Sequence, residues 1–127
     1  MPFGPSETIR DAVKKLLEQK EGFVVFDDGK DDEYVQYSLE PRGLMFNWPT
    51  MLPSYASRVG EVAALLRELD FREASGDLDI RTYEVADDGI YAQFGRDAER
   101  IESFTLEAFR RFFGQSEWLK LRARVEM

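Results

Sequence analysis

The stretch from Tyr34 to Trp48 constrains this chain more than any other. Two alternating runs, Tyr34-Val35-Gln36-Tyr37-Ser38-Leu39 and Leu44-Met45-Phe46-Asn47-Trp48, flank Glu40-Pro41-Arg42-Gly43. A period of two is what a half-buried strand requires, and a reversal between two such runs makes an antiparallel hairpin. Proline holds φ near about −65°, which suits the second position of a type I turn with glycine at the fourth and excludes the positive φ of a primed two-residue turn. A four-residue loop is therefore predicted. Setting Leu39 opposite Leu44 puts Tyr37 opposite Phe46 and Val35 opposite Trp48 on one face, with Ser38/Met45 and Gln36/Asn47 on the other. A one-residue slip would set Trp48 against Gln36, so the apolar pattern specifies the register and predicts a sheet with one buried face.

The flanking segments read as one α+β domain. Ser6 and Thr8 can cap a helix carrying Ile9, Val13, Leu16 and Leu17 on one face, and Gly22 ends it. Phe23–Phe26 reads as a strand entering the charged loop Asp27-Asp28-Gly29-Lys30-Asp31-Asp32. Ser54 can cap a second helix with the stripe Val59, Val62, Ala63, Leu66, Leu69. Residues 70–79 are predicted as loop with a short strand in Phe71–Ala74. Ile80–Ala86 and Ile90–Gly95 predict a second hairpin, in which a two-residue Asp88-Gly89 turn of type I′ pairs Val85 with Ala92 and Tyr83 with Phe94, all four facing the core. Ile101, Phe104, Thr105, Ala108, Phe109, Phe112 and Phe113 form the apolar face of a third helix, ended by Gly114. The expected fold is an antiparallel sheet of about five strands with three helices in the order α-β-β-β-α-β-β-α. The single domain spans 1–127, with a core at 6–114 and a C-terminal extension at 115–127.

Composition removes whole classes of chemistry. The 127 residues contain no Cys and no His, which excludes disulfide scaffolds, thiol nucleophiles, Cys/His metal sites and His-based acid–base catalysis. With 43% hydrophobic residues and 10 Phe, a core can form without cross-links. Acidic residues outnumber basic ones 25 to 17, and a net charge of −8 repels nucleic acid and anionic lipid, so neither is an expected partner. The basic strip Lys120, Arg122, Arg124 is the exception; it alternates like a strand, its composition also suits a helix, and a solvated tail is the expected reading. The N-terminus lacks a basic region and an apolar run, and no stretch approaches a membrane span, so a cytoplasmic location is expected.

No catalytic residue, cofactor or metal is predicted. The acidic cluster Asp27, Asp28, Asp31, Asp32, Glu33 lacks the spacing of a calcium loop and reads as a solvated turn. Lys120 lies between two leucines but on the solvent face of an alternating segment, and phosphate-loop, dinucleotide and nucleophile-elbow motifs are absent. Binding has better support. The registers collect Tyr34, Gln36, Ser38, Met45, Asn47, Tyr91 and Gln93 on the sheet face away from the core, residue types that combine contact area with hydrogen bonding. Either that face meets a protein partner, or a helix layer or a dimer partner covers it. A proline-stiffened connector adds Met51, Leu52 and Tyr55 as further candidate contacts, with closure of one end of the core as their alternative role.

The element order resembles the fold shared by class I type III secretion chaperones and YbjN-like (TY-Chap) proteins. The sequence points are Tyr34-Val35-Gln36-Tyr37 with Gly43-Leu44-Met45-Phe46, Ala64-Leu65-Leu66-Arg67-Glu68-Leu69-Asp70-Phe71, and Phe109-Arg110-Arg111-Phe112-Phe113-Gly114. The resemblance implies a non-catalytic, often homodimeric chaperone or adaptor that holds a partner polypeptide segment. The alternative is an acidic inhibitor or immunity-type protein that blocks a basic partner, recognisable by binding that weakens sharply with salt.

Overall fold

The computed structural model describes residues 5–29, 33–114 and 121–126. Their elements run α1 (Pro5–Leu17), β1 (Phe23–Asp27), β2 (Tyr34–Glu40), β3 (Gly43–Pro49), α2 (Pro53–Ala56), α3 (Val59–Glu68), β4 (Arg72–Glu73), β5 (Thr82–Ala86), β6 (Gly89–Gly95), α4 (Ala98–Phe112) and β7 (Arg122–Glu126). The strands form one seven-stranded sheet in the order β4-β5-β6-β3-β2-β1-β7. The fold is mixed α+β, with two strands more than the pattern predicts and a fourth, short helix.

The central hairpin has the predicted register, with Tyr37 opposite Phe46, Leu39 opposite Leu44 and Gln36 opposite Asn47. The turn is tighter than predicted. Glu40 pairs with Gly43, so Pro41 and Arg42 alone make the reversal. Neither has positive φ, as proline demands; Gly43 carries the left-handed conformation instead, at φ 132°. A side chain at Gly43 would overlap the backbone of Gly95, so glycine is needed for close approach of β3 to β6 as well as for its φ.

The second hairpin corrects the expectation. Asp87 and Asp88 form the turn, Ala86 pairs with Gly89, Val85 with Ile90 and Tyr83 with Ala92. Glycine beside an Asp pair reads as a primed turn, but Gly89 serves a neighbour: a Cβ there would lie 2.6 Å from the Trp48 carbonyl oxygen. Its strand partner across β3 is Pro49. Because the register shifts by two residues, sheet faces are preserved, yet Val85 moves to the sheet margin and is exposed rather than buried.

The C-terminal residues also depart from the solvated tail. Arg122–Glu126 add to β1 as an antiparallel edge strand, Val125 opposite Val24 and packed against the core. Alternation rather than composition decided this segment, since one apolar side chain per two residues is what an edge strand needs. Lys120 and the 115–120 part of the extension lie outside the described residues. The short strand foreseen near Phe71 is β4, parallel to β5. Helix α1 starts at Pro5, ahead of the suggested caps Ser6 and Thr8, as suits a proline in a first turn. Ser54 sits inside the one-turn α2, and Arg58 precedes α3 without a side-chain cap.

Stripes from α1, α3 and α4 meet the inward rows of the sheet in one core built on Val24, Phe26, Val35, Tyr37, Phe46, Trp48, Ile90 and Phe94. Within it the Tyr37 hydroxyl lies 2.7 Å from Thr105 Oγ1, which itself donates to the Ile101 carbonyl at 2.7 Å, so Tyr37 donates to Thr105. Burial pushes the Tyr37 phenol far above its ordinary range and keeps it neutral. Across the helices, Arg10 clamps Glu102 with contacts of 2.7 and 3.2 Å and holds that carboxyl below the usual carboxylate range.

Two outcomes follow for stability. Thr105→Val leaves the buried Tyr37 hydroxyl without an acceptor and should cost about 1–3 kcal/mol, more than Tyr37→Phe at about 1 kcal/mol, where Thr105 keeps its bond to Ile101; urea unfolding checks the order. Since the folded state lowers the Glu102 pKa, its contribution is complete above the ordinary Glu range and lost as pH falls through the folded value. Arg10→Ala should therefore melt below the wild type at pH ~7, by a margin that shrinks as pH falls below the ordinary Glu range.

Candidate protein-binding face

The pairings define the sheet surface opposite the core as two rows. One runs Thr82, Gln93, Met45, Ser38, Phe23, Glu126 across β5, β6, β3, β2, β1 and β7. The next runs Glu84, Tyr91, Asn47, Gln36, Val25, Arg124 in the same strand order. Between the β5 and β7 margins these two rows contain no charge. A groove of about 480 Å³ opens there, lined by Phe23, Gln36, Ser38, Glu40, Met45, Asn47 and Tyr91.

The polar side chains of the face are committed to one another. Gln36 Nε2 donates to Asn47 Oδ1 at 2.8 Å, Tyr91 donates to Asp88 at 3.0 Å, and Ser38 donates to Glu40 at 3.2 Å. Burial and then the Asp88 carboxylate push the Tyr91 phenol above its ordinary value, and a hydrogen bond from Asn47 partly offsets the rise. With these groups paired in β2, β3 and β6, what the groove presents outward is mainly the Met45 thioether, the Phe23 ring and the aliphatic parts of the amides.

Of the residues singled out from sequence, Gln36, Met45, Asn47 and Tyr91 come together here. Phe23, 38% exposed, belongs with them. The sequence run Phe23–Phe26 read as a wholly apolar strand, which hid its outward member; the register against Ser38 shows it. Three candidates, two from the face and one from the connector, are not part of this surface. Gln93 is buried, its Oε1 accepting from Gly95 N at 2.7 Å. Tyr34 turns over the end of the sheet and packs its ring on Tyr55, centroids 5.4 Å apart. Tyr55 is buried in the core: its ring stacks on Trp48 at 4.3 Å, its carbonyl accepts from Trp48 Nε1 at 2.9 Å, and its hydroxyl bridges the Tyr34 amide and carbonyl at 2.8 and 3.0 Å. Of the two roles left open for Tyr55 by the sequence, this is closure of one end of the core. Met51, 88% exposed, and Leu52 stay at the surface of the connector, away from the groove lining.

The described residues include Asp27, Asp28 and Glu33 of the acidic cluster. No group of three or more acidic side chains among them could hold a metal ion, and Asp31 and Asp32 lie outside them. Burial alone would raise the Asp97 carboxyl, but hydrogen bonds from the Arg100 backbone and guanidinium overcome it and hold Asp97 low as the cap of α4. No described helix is long and apolar enough to cross a membrane. Comparison with family models, with curated proteins and with solved structures gave no match.

If Tyr55 is structural, Tyr55→Phe should lower stability by about 1–3 kcal/mol through the two Tyr34 backbone groups it abandons, whereas Met51→Ser should leave stability unchanged within about 0.5 kcal/mol in thermal melts.

Proposed function

We propose that this chain is a non-catalytic protein-binding domain of chaperone or adaptor type, and that the groove on the outward sheet face is where a partner polypeptide docks. One observation carries this: in a chain with 33% charged residues, Phe23, Gln36, Ser38, Met45, Asn47 and Tyr91 line one outward groove to which Glu40 alone among the lining residues brings a charge. An outward surface selected only for solubility would hold its share of Lys and Glu. Depletion of charge with Tyr, Phe and Met at the centre is the composition of an interface core. The resemblance in element order to class I type III chaperones and YbjN-like proteins agrees with this, as an analogy of fold and not of site.

The acidic inhibitor reading draws on the net charge of −8, and salt separates the two. In affinity capture from source-cell lysate, a partner held by the groove should persist at high salt and be lost by Met45→Asp and by Tyr91→Asp, both of which should melt as the wild type does. Unchanged capture by both variants would remove the face as the docking site; a basic partner released by salt and indifferent to both would favour the inhibitor.

A further inference from the structure

We propose that residues 72–80 form a strap over one end of the outward sheet face, latched by Arg42, and that its opening lengthens the groove across β6 and β5. The strap stands on its own geometry; its consequence for docking rests on the protein-binding reading of the face.

One row of the face shows where the cover begins. Met45, Gln93 and Thr82 are neighbours across β3, β6 and β5 and point outward by register. Met45 lines the groove, whereas Gln93 and Thr82 are only 1% and 7% exposed. The helices pack on the other face and do not account for this burial. Thr82 identifies the cover: its Oγ1 donates to the Asp79 carbonyl at 2.6 Å. In the same segment Leu78 is buried yet takes no part in the core cluster on the helix side, so its side chain lies against the outward face. Ile80 closes the end by seating on Gly95.

What holds the strap is mostly polar and local. From the turn between β2 and β3, Arg42 donates to the Leu78 carbonyl at 2.9 Å, to Asp79 at 2.8 Å and to Asp77 at 3.1 Å. Both carboxylates are largely exposed, so these ion pairs are weak and screened by salt. Strand β4 adds only two residues, both exposed, with Arg72 donating to the Arg81 carbonyl at 3.0 Å and Ala74 to the Tyr83 carbonyl at 2.7 Å. Few buried apolar contacts and exposed hydrogen bonds are the make-up of a segment that opens locally, without the rest of the fold.

The two ends suit a hinged movement. Phe71 stays in the core, its ring 4.6 Å from that of Phe94, and fixes one end. At the other, Arg81 has φ 65°, a left-handed conformation that is costly for a side-chain-bearing residue and is relieved when the strap lifts. Lifting uncovers the Thr82 hydroxyl and the Gln93 amide, which continue the uncharged row from Met45. An extended partner segment with an apolar side chain can then take the place of Leu78.

Hydrogen–deuterium exchange of the full chain tests the strap. Amides in 72–82 should be protected at least about tenfold less than those of the central hairpin. Arg42→Ala, or Asp77→Ala with Asp79→Ala from the other side, should speed their exchange about tenfold further and leave the hairpin unchanged; added salt should act in the same direction. Because the chain has no Cys, Leu78→Cys supplies a single thiol, which a maleimide should label more slowly than it labels Met51→Cys and faster once Arg42 is also replaced by Ala. Exchange of 72–82 at the rate of the hairpin in every variant would overturn the proposal, as would a Leu78→Cys thiol labelled as fast as Met51→Cys. Neither readout needs a partner. A strap that opens as expected in a protein whose capture ignores Met45→Asp would end the docking reading alone, whereas Met45-dependent capture without strap opening would end the strap alone.

Discussion

The pairing of Tyr37 with Phe46 across the central hairpin is the contact on which the rest of the molecule depends. From these two rings the aromatic core spreads outward: Tyr37 to Phe94 at 5.6 Å and to Phe26 at 6.1 Å, Phe46 to Phe104 at 4.7 Å and to Trp48 at 6.4 Å. Edge-on and tilted contacts of this kind are directional as well as apolar, and they bring α4 and β6 onto one layer. Because a strand alternates faces, holding Tyr37 and Phe46 inward also holds Gln36, Ser38, Met45 and Asn47 outward. Core and candidate binding face are therefore one decision, taken by register.

Glycine sets how closely the neighbouring strands follow. Gly89 lies under the Trp48 carbonyl and Gly43 against Gly95, where a methyl group has no space at either place. These approaches draw β6 onto β3 and carry Tyr91 into line with Asn47. The loop after β4 is held down by Arg42, which reaches Asp77, Asp79 and the Leu78 carbonyl, and it seats Ile80 on Gly95. The outward face is thus shaped by backbone proximity at one end and by paired amides at its centre.

Charge on the sheet lies on strands toward its edges and at strand ends, Glu40 at the end of β2 among them. Arg122 is held by Asp27 at 2.6 Å on the β7 side, and such charged edge strands resist unspecific pairing with other chains. The centre, between these strands, lacks that protection.

Much of this was determined by the sequence alone: the β2–β3 register, the apolar stripes of α1, α3 and α4, the core position of Trp48, and the outward set Gln36, Met45, Asn47 and Tyr91. Each of these follows from periodicity, which is local and survives any tertiary arrangement. What only the tertiary structure decided depends on neighbours distant in the chain. Gly89 looked like a turn residue because its contact, the Trp48 carbonyl, lies forty-one positions away in sequence. Tyr55 could be read as a partner contact or as closure of one end of the core, and the Tyr34 backbone that it bridges and the Trp48 ring on which it stacks, both in other elements, decide for closure. The C-terminal segment became β7 because β1 offered an unpaired edge, and Phe23 joined the candidate face once β2 fixed the side to which it points. Periodicity assigns a residue to a face, but its exposure depends on which elements pack beside it.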